Sequence, residues 1–257
     1  MGKKNQQKNQ AQAQAPIAPK AKPTPAMQVP KASSTMVSSK YTPWVYALVL
    51  FIVAFAINSN TFKNNFVLDD HGIIKNNKIT KAPVSWANTK TIFSTPLRKG
   101  DFSDLENSLY RPFTKFLFNI EWNVFGGDPH KFHIVNVLLY GLTGIFIFFI
   151  FYDIMKKKWV IPFLISLLFI VHPIHTEVVA NIKSGDEVLS LLGSVIALRC
   201  VQLYLQQHKM SYLILGVLGY LMGSFSKEST VLMMFMVPLF IYYFTETDLK
   251  KNILISS

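Results

Sequence analysis

From residue 41 onward the chain alternates between long apolar runs and short polar breaks. The runs cover about 41–58, 132–152, 159–171, 188–205, 212–224 and 230–244. About 18 or more apolar residues are enough to cross the ~30 Å hydrocarbon core as a helix. In lipid, only helices and closed barrels satisfy their own backbone polar groups. None of the runs alternates apolar with polar as barrel strands do. The pattern therefore predicts an all-α, polytopic helical membrane protein of about six transmembrane helices. The third and fifth runs are short and need their ends buried in protein or in the interface. No repeat of 20–50 residues is visible.

The breaks are unequal. Residues 59–131 form one large loop, and its last part, 111–125, is amphipathic. Phe113, Leu117, Ile120 and Val124 share one helical face, with Lys115, Asn119 and Asn123 on another. Such a helix either lies in the membrane interface or packs within the loop, and the pattern does not separate the two.

Charge then sets direction. The net charge of +12 would suit a nucleic-acid binder, but its placement argues for a membrane and no nucleic acid. Residues 1–40 carry seven lysines and no acid, among many Gln, Ala and Pro. They predict a disordered basic cytoplasmic tail that holds the N-terminus inside and attracts anionic lipid. Ala54-Phe55-Ala56 resembles a signal cleavage site, but 40 preceding residues are too many for a leader's n-region, so an uncleaved anchor is expected. With this orientation Lys156, Lys157 and Lys158 fall inside, as do His208 with Lys209, and Lys250 with Lys251. Arg199 can snorkel the same way. The 59–131 loop is then extracytoplasmic, periplasmic or luminal. Cys200 is the single cysteine, so no intramolecular disulfide is possible.

The same topology places three polar clusters on the outer side. They are Asp69-Asp70-His71; His172-Pro-Ile-His175-Thr-Glu177, continuing to Asn181, Lys183, Asp186 and Glu187; and Lys227-Glu228. Ionisable groups at membrane depth are expensive unless they face a polar cavity, which makes them candidates for function. Each also has a plainer reading: a solvated turn, an interfacial hydrogen-bonding pair, a hairpin between spans. His172 and His175 with Glu177 could hold a metal, though H-x-x-H is a weak signal and interfacial hydrogen bonding competes with it.

Read in order, FVLDD, LYRPF, GGDPHKFHIVNVLLY, LLFIVHPIHTEVVANIKSGDEVLSLL and SFSKES resemble the GT-C membrane glycosyltransferases. Within them the resemblance is to the transmembrane O-mannosyltransferases that carry tetratricopeptide repeats, and to their bacterial relatives. It covers about residues 41–244, and HPIHTEVVA with the downstream SKE is its most specific part. The resemblance implies transfer of a sugar, mannose in that subfamily, from a polyprenyl-phosphate donor to a hydroxyl of an acceptor protein, on the extracytoplasmic face. It implies that Asp69 or Asp70 is the general base. A carboxylate can take the proton of an acceptor hydroxyl, and cations stabilise the charge on a departing lipid phosphate. Lys227, Arg111, His172 and His175 are the cations available, Lys227 first. His71, Glu177, Asp186 and Glu228 would support them, Glu228 by orienting Lys227 or by helping to hold a divalent metal.

Relatives often carry Gly-Arg where this chain has Ser184-Gly185 before Asp186, so a cation is missing there or is replaced by Lys183. Relatives also continue past the position of Ser257, so the chain reads as the N-terminal portion of such a protein. A transporter or flippase-like protein for an anionic lipid and a non-catalytic scaffold are the alternatives. Charges at span ends rather than at the midplane favour the transferase over the transporter.

Overall fold

The computed structural model describes residues 42–101 and 109–244. The basic tail, Lys250 and Lys251 lie outside the described residues. The chain divides into residues 1–38 and 39–257, and every described residue belongs to the second unit.

The described residues are helical and hold no strand. In chain order the helices are α1 (Thr42–Asn58), α2 (Lys78–Lys81), α3 (Trp86–Ser94), α4 (Pro112–Phe125), α5 (Pro129–Ile154), α6 (Val160–Val171), α7 (Thr176–Ala180), α8 (Gly185–Gln207), α9 (Met210–Ser224) and α10 (Met233–Phe244). Each apolar run contains a helix, so the runs located all six. Among the described residues, only α1 with the tight turn that follows it, α5 and α8 are long and apolar enough to cross a membrane unaided. A fourth span appears if α6 is counted together with Pro173–Ala180, from which it is bent by 47°. The last two, α9 and the segment Glu228–Tyr242, are shorter apolar helices.

The apolar bundle is organised around α5, which packs on α1, α6 and α8. Leu50 and Ala54 of α1, Val137, Tyr140 and Phe148 of α5 and Ile170 of α6 form one buried cluster. The Tyr140 hydroxyl donates to the carbonyls of Phe169 and Ile170 at 2.9 and 3.0 Å, covering acceptors that the end of α6 leaves without helical partners.

Between α8 and α9 the contact is backbone to backbone. A Cβ on Gly193 would lie 2.5 Å from the Gly219 carbonyl oxygen and 2.7 Å from the Gly223 nitrogen. Small residues of this kind allow helices in lipid to approach closely. No flexible side chain is there to yield, so Gly193→Ala is expected to destabilise the protein by about 1–3 kcal/mol, as overpacking does. Thermal melting in detergent measures it. An unchanged melting temperature would mean that α8 and α9 do not touch at this level.

At the bundle end formed by the last turn of α5, Asp153 is buried against α8. The Arg199 guanidinium donates to Asp153 at 2.5 Å and to the Gln202 side-chain oxygen at 2.6 Å, and Lys157 pairs with the other Asp153 oxygen. Arg199 thus reaches the end of α5 that carries Lys156, Lys157 and Lys158, the end toward which it was expected to snorkel. A carboxylate within reach on the neighbouring helix holds it in place.

Residues 59–101 and 109–131 form a small helical layer. Phe66, Ile73, Ile74, Leu97 and Phe118 make its core together with Phe132 of α5 and Ile182. Pro112 starts α4 where a missing N–H costs nothing, and Gly126, at φ +67°, ends it. This helix is inverted relative to a soluble one. Thr114, Lys115, Asn119 and Glu121 are buried, while Val124 on the apolar face is 67% exposed. Asn119 donates to the carbonyls of Thr80 and Ala82 at 2.9 and 2.7 Å. Glu121 has no partner among the described residues, and burial raises its carboxyl well above the usual range. The helix thus packs within the loop through Lys115 and Asn119, while its apolar face is half-buried at Phe113, Leu117 and Ile120 and exposed at Val124.

Candidate active site

The two adjacent aspartates do different things. Asp70 is fully buried, and its carboxylate accepts the backbone N–H of Val67 at 2.9 Å and of Lys183 at 2.8 Å. Burial pushes its carboxyl up, and these two bonds oppose the shift. Asp70 therefore ties the start of the loop to the segment before α8. Asp69 points the other way, with 49% of its side chain exposed and an ion pair to Arg98. The pair is preceded by Leu68, a non-glycine residue at φ +45°, a conformation that leucine adopts only where the surroundings hold it. His71, partly exposed, opens a wide helical turn, His71–Lys75.

Three segments far apart in sequence then meet. The Arg111 guanidinium donates to Asp186 at 2.5 Å and to Glu228 at 2.7 and 3.2 Å. Arg111 and Asp186 are both buried, whereas the Glu228 side chain is 56% exposed. The hydrogen bonds from Arg111 hold the Glu228 carboxyl below its usual range. The Lys183 ammonium reaches Asp186 at 3.4 Å. Around this pair, Phe113 donates its backbone N–H to the Phe225 carbonyl at 3.1 Å, and the Thr114 hydroxyl donates to the Ser226 carbonyl at 3.2 Å. The SKE segment is thereby fixed on the first turn of α4.

Two expectations change. Glu228 was to orient Lys227; instead Lys227 pairs with Glu187 at 2.5 Å, and Glu228 goes to Arg111. Lys227 is extended, at φ −157° and ψ 147°, so successive side chains leave the backbone on opposite sides. The position before Asp186 was expected to lack a cation or to have it replaced by Lys183; the Lys183 ammonium stands 3.4 Å from Asp186, and a second cation comes from elsewhere. Arg111, 75 residues earlier, supplies the guanidinium. At position 185 a Cβ would lie 2.8 Å from the Asn136 side-chain oxygen, so the α8 terminus approaches α5 through a glycine.

The histidine segment forms a wall of two cavities. His175 stacks near Phe169, with ring centres 4.6 Å apart, and His172 accepts the Ile174 N–H at 3.2 Å through Nδ1. Burial and the neighbouring His172 push the His175 imidazole down. His175 lines a cavity of about 360 Å³ with Glu187, Ser190, Ser229, Leu191 and Met233, a mostly apolar wall with a few polar groups. It also lines a cavity of about 190 Å³ with His172, Asn58 and Asn60. Glu177 is exposed in the first turn of α7. Among the described residues no three His, Cys, Asp or Glu side chains converge to hold a metal ion.

The structure thus joins Asp70, Arg111, Asp186 and Glu228 through Lys183, and adds residues that the motifs did not single out as site members. Glu187 stood beside Asp186 without a role, and now faces both Lys227 and the larger cavity. Arg98 lies in a plain polar turn, and neither periodicity nor spacing connects it with Asp69. Lys115 belonged to the polar side of α4, but its burial depends on the whole loop.

No family model matches the chain, and no solved structure matches it significantly. Among characterised proteins it resembles the Protein O-mannosyl-transferases named TMTC. It is 32% identical over 150 residues to the mouse (Mus musculus) Protein O-mannosyl-transferase TMTC1, covering 57% of this chain and 16% of that protein. To the human (Homo sapiens) TMTC2 it is 30% identical over 156 residues, covering 60% of this chain and 18% of that protein. To the mouse TMTC4 it is 29% identical over 181 residues, covering 61% and 23% respectively. The chain therefore spans less than a quarter of the length of these relatives.

Proposed function

We propose that this chain forms the catalytic end of a membrane glycosyltransferase, one that moves mannose from a polyprenyl-phosphate donor to a hydroxyl of an acceptor protein on the extracytoplasmic face. The observation that carries the reading is the convergence of Asp70, Arg111, Lys183, Asp186, Lys227 and Glu228 from four separated segments at one end of an apolar bundle. Resemblance to proteins named as O-mannosyltransferases supports the choice of reaction.

Asp69 is the accessible carboxylate of the pair and takes the role of general base. It removes the acceptor hydroxyl proton as that oxygen attacks the sugar carbon. The bond from that carbon to the phosphate oxygen breaks, and the electron pair leaves with the lipid phosphate. Lys227 and Arg111 are the cations positioned to offset that charge. Both sit on exposed carboxylates, Glu187 and Glu228, so the phosphate would share or displace these partners. The cavity lined by His175, Glu187 and Ser229 together with Leu191 and Met233 offers both polar and apolar walls, which suits a polar headgroup joined to an apolar chain. The apolar face of α4, exposed at Val124, would rest in the membrane interface beside it.

The test is transfer of labelled mannose from a mannosyl polyprenyl phosphate to acceptor protein in membranes containing the chain. Asp69-dependent transfer is the expected result. No transfer from correctly inserted wild-type protein would refute the reading for this chain.

A further inference from the structure

We propose that Arg98 is a positioning residue for Asp69, and that a buried scaffold built on Lys115 and Asn77 exists to hold it there. The first part of the argument is the contact itself. Arg98 is the cation against Asp69, and its guanidinium lies over Gly72, where a Cβ would come within 3.5 Å of Nη1. The same Cβ would meet an Asp101 carboxylate oxygen at 2.8 Å. The acidic turn and the 96–101 turn are therefore in direct apposition, and the absence of a side chain at Gly72 lets them meet.

The second part is how the 96–101 turn is held. The Lys115 ammonium reaches it from α4 and donates to the carbonyls of Pro96 at 3.2 Å and Lys99 at 2.7 Å. Lys115 is fully buried, and burial pushes its ammonium down to about 8. Asn77, also fully buried, donates to the carbonyls of Gly72, Arg98 and Lys99 at 3.3, 3.4 and 3.2 Å. Gly100 closes the turn at φ +102°, where an added Cβ would lie 2.8 Å from the Asn77 side-chain oxygen. Two buried polar side chains thus clamp the backbone on both sides of Arg98. A buried lysine is costly, and a surface loop needs no such clamp merely to stay folded. What the clamp fixes is the one residue in this turn that grips the exposed aspartate.

The inference rests on the reading of Asp69 as the base, and a general base works only when aimed. A small misplacement by a distant change can lower the rate about a hundredfold. Arg98, exposed on one side, keeps one Asp69 oxygen occupied and leaves the other to face the acceptor. Asp70, His71, Lys99 and Asp101 are the other ionisable groups of the two apposed turns.

The test uses the whole chain in membranes, with Arg98→Gln, Arg98→Lys and Lys115→Met, and reads two quantities. The first is carbodiimide-driven coupling of an amine to Asp69, followed by mass spectrometry, which needs no activity. The second is kcat and donor KM for mannosyl transfer. In Arg98→Gln, coupling at Asp69 is expected to rise several-fold, and kcat to fall about ten- to a hundredfold, with donor KM within about twofold. Arg98→Lys recovers part of both, and Lys115→Met falls between if it folds. Unchanged coupling in Arg98→Gln overturns the proposal. So does a rise in donor KM at constant kcat, since Arg98 would then bind the donor phosphate itself. A coupling response in a chain whose wild type transfers no mannose would sustain the positioning of Asp69 and defeat the glycosyltransferase reading.

Discussion

Arg111→Gln is expected to cost about 3–5 kcal/mol of stability, the range found when one partner of a buried ion pair is removed. Arg111 is buried and is the close partner of Asp186, which is fully buried. Without the guanidinium, Asp186 keeps, among the described residues, the Lys183 ammonium at 3.4 Å, and its second oxygen has no partner there. The first turn of α4 would also lose its ionic tie to Glu228, 117 residues away. The contrast is Glu228→Gln. That carboxylate is largely exposed, and exposed pairs contribute about 0–1 kcal/mol. Melting temperatures of the two variants in detergent should therefore separate widely, with Arg111→Gln far lower. Similar values would show that the Asp186 pairing does not hold the three segments together.

The second large effect separates neighbouring residues. Asp69→Asn keeps the shape of the side chain and removes its basicity, so mannosyl transfer should fall about 10²–10⁴-fold, the usual contribution of a general base. Folding should be close to that of the wild type, because the side chain is half exposed. Asp70→Asn should act first on folding. The carboxylate accepts two backbone N–H groups through separate oxygens, and an amide offers only one acceptor oxygen. It would press its own N–H₂ against a buried donor, a loss of about 1–3 kcal/mol. Transfer and melting temperature measured on both variants give the answer. Asp70→Asn losing transfer at full stability, while Asp69→Asn stays active, would reverse the assignment of the base.

Much of this was readable from local pattern. Helices in lipid are written as apolar runs, and α5 and α8 extend the runs that located them by only a few residues at each end. The polar clusters were legible because Asp69, Asp70, Asp186 and Lys227 break or border such runs. Local pattern could not give the pairing. Arg111 finds Asp186 and Glu228 across 75 and 117 residues, and Lys227 turns away from its neighbour Glu228 toward Glu187. The polar face of α4 was visible, but which way it points was not. Periodicity identifies two faces, whereas the carbonyls of Pro96, Lys99, Thr80 and Ala82 that draw the polar face inward come from elsewhere in the loop.

The bond from the Lys183 backbone to Asp70 spans 113 residues, and this has a consequence for biosynthesis. The acidic turn is made early, but its second N–H donor does not exist until the ribosome has passed residue 183. Arg111 likewise waits for Asp186, and then for Glu228. At a growth rate of about 5–20 residues per second, Asp70 lacks its partner for on the order of ten seconds. The site therefore closes only when the chain has emerged through the start of α8 and the hairpin before α10. Until then the loop's charged residues must be kept in water or by chaperones, and a stall anywhere between residues 71 and 182 would leave the loop open with the base-bearing turn unfastened.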